Sequence, residues 1–511
     1  MFLFYVIAIF LIGVVTIAII RAVTSPLRSI PGPFLARFTR LWYFVRVANG
    51  KFDAENRALH RRYGPVVRLA PGMFSIDMPE AVPTIYRVGS KMPKSEWYDS
   101  WQKPGEHWSL FPDRVMKRHA EDRRRFQALY SMTSLLSYEG YADTCAEIMV
   151  QRFDEFADEG TVFDLLHWLQ CYGFDVIGNI TFSTRFGFLD RGEDVAGLIK
   201  ALHDLVVYGA LVGILPETHP VLYRVTEWLG IGGAAGRSYL LNFVRERVRE
   251  RRAERAAAAA STEMPAASLG ERSDQDKPKS FLDRMLDQNE QDPNKVTDNH
   301  ISSMGLINVV AGADTTAITL TAIFYYLMRT PNALTKLREE VDEMCKDGKI
   351  DQSGHVRFQD AKNMPYLQAV ITEGMRLHSV GGLPLWRDVA EGGVELGGQY
   401  FPEGTTVGVN GWCAHYNESV FGEDAHEFRP ERWLVKDEDK LKQMNAYYLP
   451  FGLGSRACIG RHISILEMSK IVPLLVKKYD FEAVNGDAPW KTRNVWFVKP
   501  VDFRVKVKRR L

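Results

Sequence analysis

One ten-residue stretch limits what this chain can fold around more than any other: Phe451-Gly452-Leu453-Gly454-Ser455-Arg456-Ala457-Cys458-Ile459-Gly460. It sets a cysteine in a glycine-rich loop beside an arginine, just before an apolar helical run with Ile463, Ile465, Leu466 and Met468. Gly452 and Gly454 carry no side chain, so the backbone there can approach a flat ligand closely. Amide donors and a helix N-terminus next to Cys458 would stabilise a negative sulfur. Arg456 offers a forked donor suited to a carboxylate. A thiolate so placed is a strong ligand for iron in a macrocycle, pushing electron density onto the metal. The competing reading, an inert cysteine in a turn, leaves the fixed neighbours without a reason.

The stretch matches each fixed position of Phe-Gly-x-Gly-x-Arg-x-Cys-x-Gly, and on those residues the chain resembles the cytochrome P450 family of haem-thiolate monooxygenases. The resemblance implies haem b (iron protoporphyrin IX) as cofactor, with Cys458 as axial iron ligand and Phe451, Gly452 and Gly460 around it. It also implies consumption of O2, with NADPH electrons arriving through a diflavin NADPH–cytochrome reductase and a b5-type cytochrome as auxiliary partner. No Gly-x-Gly-x-x-Gly follows a strand, so no nicotinamide or flavin site of the chain's own is expected.

The 511 residues are 46% apolar and 25% charged, enough for a sizeable core. A net charge of +1 gives no electrostatic reason to expect nucleic acid. The five cysteines are odd in number and scattered, which fits a reducing compartment. Residues 2–20 carry no charge and are long enough to span a bilayer. Arg21 and Arg28 follow, so the positive-inside rule favours a retained anchor over a cleaved signal peptide, with the bulk of the chain cytosolic. Expected are a transmembrane anchor over 1–21, a proline-rich hinge over 22–33 (Pro26, Pro31-Gly32-Pro33) and a catalytic domain over 34–511. This plan resembles single-pass family members of the endoplasmic reticulum membrane. Within it, residues 253–280 read as a flexible surface insert whose alanines extend the preceding helix. That helix, Tyr239 to Arg255, is basic and reads as a solvated face in preference to a surface for anionic lipid.

Strand-like patches are few: Val66–Leu69, Met73–Ile76, Val394–Leu396 and Thr405–Val409. The middle reads as helix after helix, the longest from a Thr297 cap to about Met328, stopped by Pro331. The fold class is mostly α with a small β region (α+β); by resemblance it is the P450 fold, one large helical domain behind an N-terminal transmembrane helix.

Ala311-Gly312-Ala313-Asp314-Thr315-Thr316 interrupts that helix, and a glycine and an acid in a buried helix are costly unless something uses them. Thr and Asp side chains compete for backbone carbonyls, which predicts an opened ladder and a groove for a small molecule. By resemblance this is the oxygen-activation motif, Thr315 hydrogen-bonding dioxygen and Asp314 relaying protons. Glu373 and Arg376 lie one helical turn apart on a helix predicted over Tyr366–His378. With Arg432 they resemble the family's E-x-x-R and P-E-R elements, a structural triad. Candidate partners for the two haem propionates are Arg456, Arg387 and Arg123, with His119 standing where the family's helix has tryptophan. Substrate contacts by analogy are Trp97, Tyr98, Trp101, Leu306, Val309, Val310, Val380 and Leu383, together with a segment near 205–215. Gly381-Gly382 is expected to leave space above the haem.

The chain further resembles filamentous-fungal members of the family similar to pisatin demethylase. That implies hydroxylation, epoxidation or demethylation of an apolar small molecule in secondary-metabolite biosynthesis. Two alternatives stand beside it: a haem-thiolate isomerase or dehydratase working without O2, and a non-catalytic haem sensor. The intact Asp314-Thr315 pair weighs against the first.

Overall fold

The computed structural model describes residues 1–106, 109–262, 278–486 and 488–510. A helix over Phe2–Thr24 opens the chain, with Phe2, Phe4, Ile9 and Ile12 exposed. A four-stranded sheet follows, in the order Val66–Ala70, Met73–Ile76, Thr406–Val409, Arg387–Asp388. Its central pairing is parallel, with Phe74 opposite Val407, so residues more than 300 apart in sequence share one sheet.

Everything that positions the site is gathered around one helix, Asp298–Arg329, hereafter the central helix. Thr297 caps it and His300 returns the bond, a capping box that satisfies two otherwise orphaned amides. Helix Leu165–Phe182 lies against it because glycine lets the backbones meet: a Cβ on Gly173 would sit 3.0 Å from Ala313 Cα. Gly312 serves the same contact, since its Cβ would meet Ile177 at 2.7 Å. This corrects the expected groove at Gly312. The helix stays continuous, and the Thr315, Thr316 and Thr319 hydroxyls donate to the carbonyls four residues back. Helices Pro365–Leu377 and Arg461–Lys478 pack on the other flanks.

Several strands lie beyond the four expected patches. Tyr479–Ala483, Arg504–Arg509 and Phe163–Asp164 form one sheet, and Lys491–Val495 pairs with Phe497–Val501 in a hairpin. Trp496 turns that hairpin at φ +74°, a strained value for a bulky residue.

The helix preceding the expected insert runs over Gly232–Thr262, through the alanines, and residues 263–277 lie outside the described residues. Its basic face is ion-paired, not merely solvated. Arg251 forks onto Asp283 at 2.8 and 3.0 Å, Arg252 reaches Asp298 at 2.5 Å, and Arg255 reaches Asp287 at 2.6 Å.

Candidate active site

Hydrogen bonding first fixes the cysteine loop. Cys458 N–H donates to the Phe451 carbonyl at 2.7 Å, closing a turn around Gly452 and Gly454, both near φ +64°. Gly454 is obligatory on steric grounds as well, because a Cβ there would lie 1.7 Å from the Tyr86 carbonyl oxygen. Helix Arg461–Lys478 starts directly after Gly460, and the Gly460 and Arg461 amides donate toward the sulfur. Burial pushes the Cys458 thiol up; those amides and the Arg123 and Arg461 charges pull it down. Cys458 and Ala311 of the central helix are both exposed although each lies inside the fold. Surface of that kind lines an internal cavity.

Beside the loop, basic groups crowd together. Arg123 donates to the Ala457 carbonyl at 2.7 Å, and Arg456 to the Asp113 carbonyl at 2.7 Å. Arg387 donates to the Trp386 carbonyl at 2.8 Å, and its guanidinium lies 5.0 Å from the centre of the Tyr86 ring. Lys94, unmarked in the sequence, is buried with its ammonium 4.3 Å from the Tyr98 and Phe111 ring centres. Burial and then Arg387 and Arg456 hold it well below the usual lysine range. His119 is buried and pushed down to about 2, by burial first and then by Arg456, Lys94, Arg123 and Arg387, so it is neutral. Among the described residues none of the four cations has a carboxylate partner within ion-pair reach. The nearby Asp113 is occupied by Arg118 through two 2.8 Å bonds, and one Arg456 terminal nitrogen is an unpaired buried donor. Buried charge of one sign without counter-charge is costly, which fits a dianionic flat cofactor carrying two carboxylates.

On the central helix, the Thr315 hydroxyl donates to Ala311 at 2.8 Å. Asp314 is fully buried; it accepts from Gln170 Nε2 at 2.5 Å and is ion-paired with Lys499 of the C-terminal hairpin.

Glu373, Arg376 and Arg432 come together away from water, all at most 1% exposed. Arg376 forks onto Glu373 at 2.7 and 2.8 Å; Arg432 Nε reaches it at 3.3 Å. The Arg429 amide and Trp433 indole complete the donors to the Glu373 carboxylate, and Arg432 also holds Asp424 at 2.8 Å.

The residues put forward for substrate contact divide. Trp97 and Trp101 pack with Trp496 at ring distances of 4.8 and 5.9 Å, and Trp97 donates to Ala210 at 3.1 Å. Tyr98 belongs with Lys94 and Arg387 instead. Segment 205–215 falls on helix Leu198–Val212 and the turn after it. Leu306 and Val310 are at or near the core surface and Val380 is half-buried, whereas Val309 and Leu383 are core. Gly381 has open space at its Cβ position, but Gly382 does not: a Cβ there would meet Asn494 at 2.3 Å. Sequence reasoning missed Lys94, Gln170, Trp496 and Lys499. None stands in a local pattern, since each is recognisable only by what the fold brings against it.

With this geometry in place, comparison with known proteins is informative. The family described as Cytochrome P450 matches residues 31–507. The chain is 38% identical over 486 residues to a pisatin demethylase of Fusarium vanettenii, covering 95% of this chain and 89% of that protein. It is 35% identical over 496 residues to the cytochrome P450 monooxygenase pkfB of Emericella nidulans, covering 96% and 93%. A further relative is the cytochrome P450 monooxygenase gsfF of Penicillium aethiopicum, 34% identical over 490 residues and covering 94% and 93%.

Proposed function

Since the chain belongs to the cytochrome P450 family and is an oxygen-incorporating oxidoreductase, we propose that it is a membrane-anchored haem-thiolate monooxygenase of secondary metabolism. It hydroxylates, epoxidises or demethylates an apolar small molecule, with NADPH electrons supplied by a diflavin reductase assisted by a b5-type cytochrome. The name of the Fusarium relative favours demethylation among these.

The observation that carries the reading is the pairing of an amide-supported cysteine with four cations, two buried (Lys94, Arg387) and two half-buried (Arg123, Arg456), that have no ion-pair partner among the described residues. Cys458 would hold the iron. Arg123, Arg387, Arg456 and Lys94 would hold the propionates, with neutral His119 as a further N–H donor. Bound there, the haem supplies thiolate-assisted cleavage of the O–O bond. The protein's own part is positional. Thr315 presents a hydroxyl beside Ala311 at the cavity wall, and Asp314 keeps a carboxylate one residue away for proton movement. Glu373, Arg376 and Arg432 hold the neighbouring segments fixed. The aromatic wall of Trp97, Trp101 and Trp496 excludes water and suits an apolar substrate.

Membrane attachment at the endoplasmic reticulum, with the catalytic domain cytosolic, is supported by the helix Phe2–Thr24 and by a second apolar surface. Val221, Val225, Trp228, Leu229 and Ile231 are exposed in and just after helix His219–Leu229. Arg40 ties that region to the segment after the hinge, reaching Glu217 at 3.5 Å.

The test is metabolite profiling of source cells with the gene intact and disrupted, beside the carbon-monoxide difference spectrum of the purified protein. An accumulating compound one oxygen, or one methyl group, away from the lost product supports the reading. An accumulating isomer or hydrate would replace it with isomerase or dehydratase chemistry. Cys458→Ser is expected to abolish the thiolate spectrum.

A further inference from the structure

Resting on the reading just given, we propose that Lys499 is a positioning residue for proton delivery, holding the Asp314 carboxylate from the C-terminal hairpin. Trp496, at the hairpin's turn, packs that hairpin onto Trp97 and Trp101.

Asp314 is sealed from solvent, and its one ion-pair partner among the described residues is Lys499. Lys499 is itself about one-fifth exposed in its side chain (19%), so it stands between the buried acid and water. Gln170 Nε2, from helix Leu165–Phe182, holds the other carboxylate oxygen at 2.5 Å. His203 on helix Leu198–Val212 is a further titratable group near enough to feel the charges of both Lys499 and Asp314, and Asp204 of the same helix and Arg493 of the hairpin's other strand act on it as well. Lys499 supplies the buried carboxylate with a counter-charge and, opposite Gln170, aims it.

The hairpin that carries Lys499 is itself held at several points. Three residues before Lys499, Trp496 is forced to φ +74° and packs 4.8 Å from Trp97. The Trp496 carbonyl accepts from Gly382 N–H at 2.8 Å, and Val498 N–H donates to Val380 at 2.9 Å. One two-stranded element thus touches Trp97, the Val380–Gly382 strip and the buried acid.

Chemically, a productive turnover takes O2, two electrons from NADPH through the reductase and two protons. The O–O bond and one substrate C–H bond break, one oxygen ends between that carbon and its hydrogen, and the other takes the two protons and leaves as water. A leak uses the same electrons and protons, keeps the O–O bond and releases hydrogen peroxide. Weakened control of Asp314 is expected to move electrons from the first outcome to the second.

The experiment uses haem-loaded full-length protein with diflavin reductase and NADPH, 7-methoxycoumarin as probe, in H2O and D2O. Peroxide formed per NADPH is compared among the parent, Lys499→Met, Lys499→Arg and Thr315→Ala. Lys499→Met is expected to raise the peroxide share about threefold and to enlarge the solvent isotope effect about twofold. Lys499→Arg should restore both, with haem content and thiolate spectrum unchanged throughout. A parental peroxide share in Lys499→Met would overturn the proposal, as would equal losses in Lys499→Met and Lys499→Arg accompanied by haem loss, which mark a structural role. Thr315→Ala separates the two levels. If it leaks while Lys499→Met does not, only the lysine's role falls; if it does not leak, the assignment of the Thr315–Asp314 pair falls as well.

Discussion

The Glu373 cluster and the Lys94 cluster both gather basic side chains wholly or partly removed from water, yet they differ in charge balance. In the first, Arg376 and Arg432 face Glu373 and Asp424, Arg429 adds a third charge on Asp424 from the surface, and backbone carbonyls take the remaining donors. In the second, Lys94, Arg123, Arg387 and Arg456 have no ion-pair partner among the described residues, and the Asp113 carboxylate that acts on Lys94 and Arg456 is bonded twice by Arg118. A closed buried network locks structure, whereas an open one states the charge of what must enter it.

Breaking the closed cluster has the largest expected effect. Glu373→Ala strands two buried guanidiniums and should cost about 3–5 kcal/mol, read as a lower thermal midpoint with and without haem. Glu467 sharpens the comparison as a third case. It is fully buried, Thr316 lies near it but gives its hydroxyl to Gly312 and Ser464, and burial raises its carboxyl to about 8, with Thr316 lowering it slightly. The fold therefore keeps a proton that the unfolded chain releases above its ordinary value near 4.5, so stability is full at acid pH and falls as pH rises toward 8. Glu467→Gln cannot ionise. Its stability relative to the parent should improve across that window by about 4 kcal/mol, measured by denaturant unfolding at pH 5 and pH 8.5.

Opening the other cluster further should act with the opposite sign on two readouts. Lys94→Met removes a cation that nothing neutralises, so the haem-free protein should keep or gain stability while haem transfer to apomyoglobin speeds up about tenfold. A drop in haem-free stability like that of Glu373→Ala would show that the two clusters are alike after all. The smallest effect is expected at Gly381→Ala, within about 0.5 kcal/mol in thermal unfolding. The neighbouring Gly382→Ala should cost more, because Asn494 occupies its space.

What sequence could disclose here followed from how local the cause was. The central helix is bounded by a cap at Thr297 and a stop at Pro331, so its ends were legible. The cysteine loop was legible because ten adjacent residues carry its chemistry. The sheet joining Phe163–Asp164 to Arg504–Arg509 was not, since its partners lie more than 300 residues apart and each strand is short. The acid at 314 was visible but its partner was not: a lysine at 499 differs from any surface lysine only once the hairpin folds onto the central helix. The basic run at 245–255 misled in the same way, because Asp283, Asp287 and Asp298 sit more than 25 residues on and reach it only in space. Gly312 looked like a site for a ligand and proved to be room for Ile177, because a missing side chain does not say what fills its place.

The 1.7 Å between a would-be Cβ at Gly454 and the Tyr86 carbonyl has a meaning for descent and for laboratory selection. At that codon nineteen alternatives are lethal to the loop, so ligand geometry is inherited whole and cannot drift by small steps. Diversity has to accumulate where the walls stand clear, as at Gly381, and a library spread over both positions should return one letter at 454 and many at 381. The iron-holding end of such a protein is conservative by collision; its appetite is free to wander.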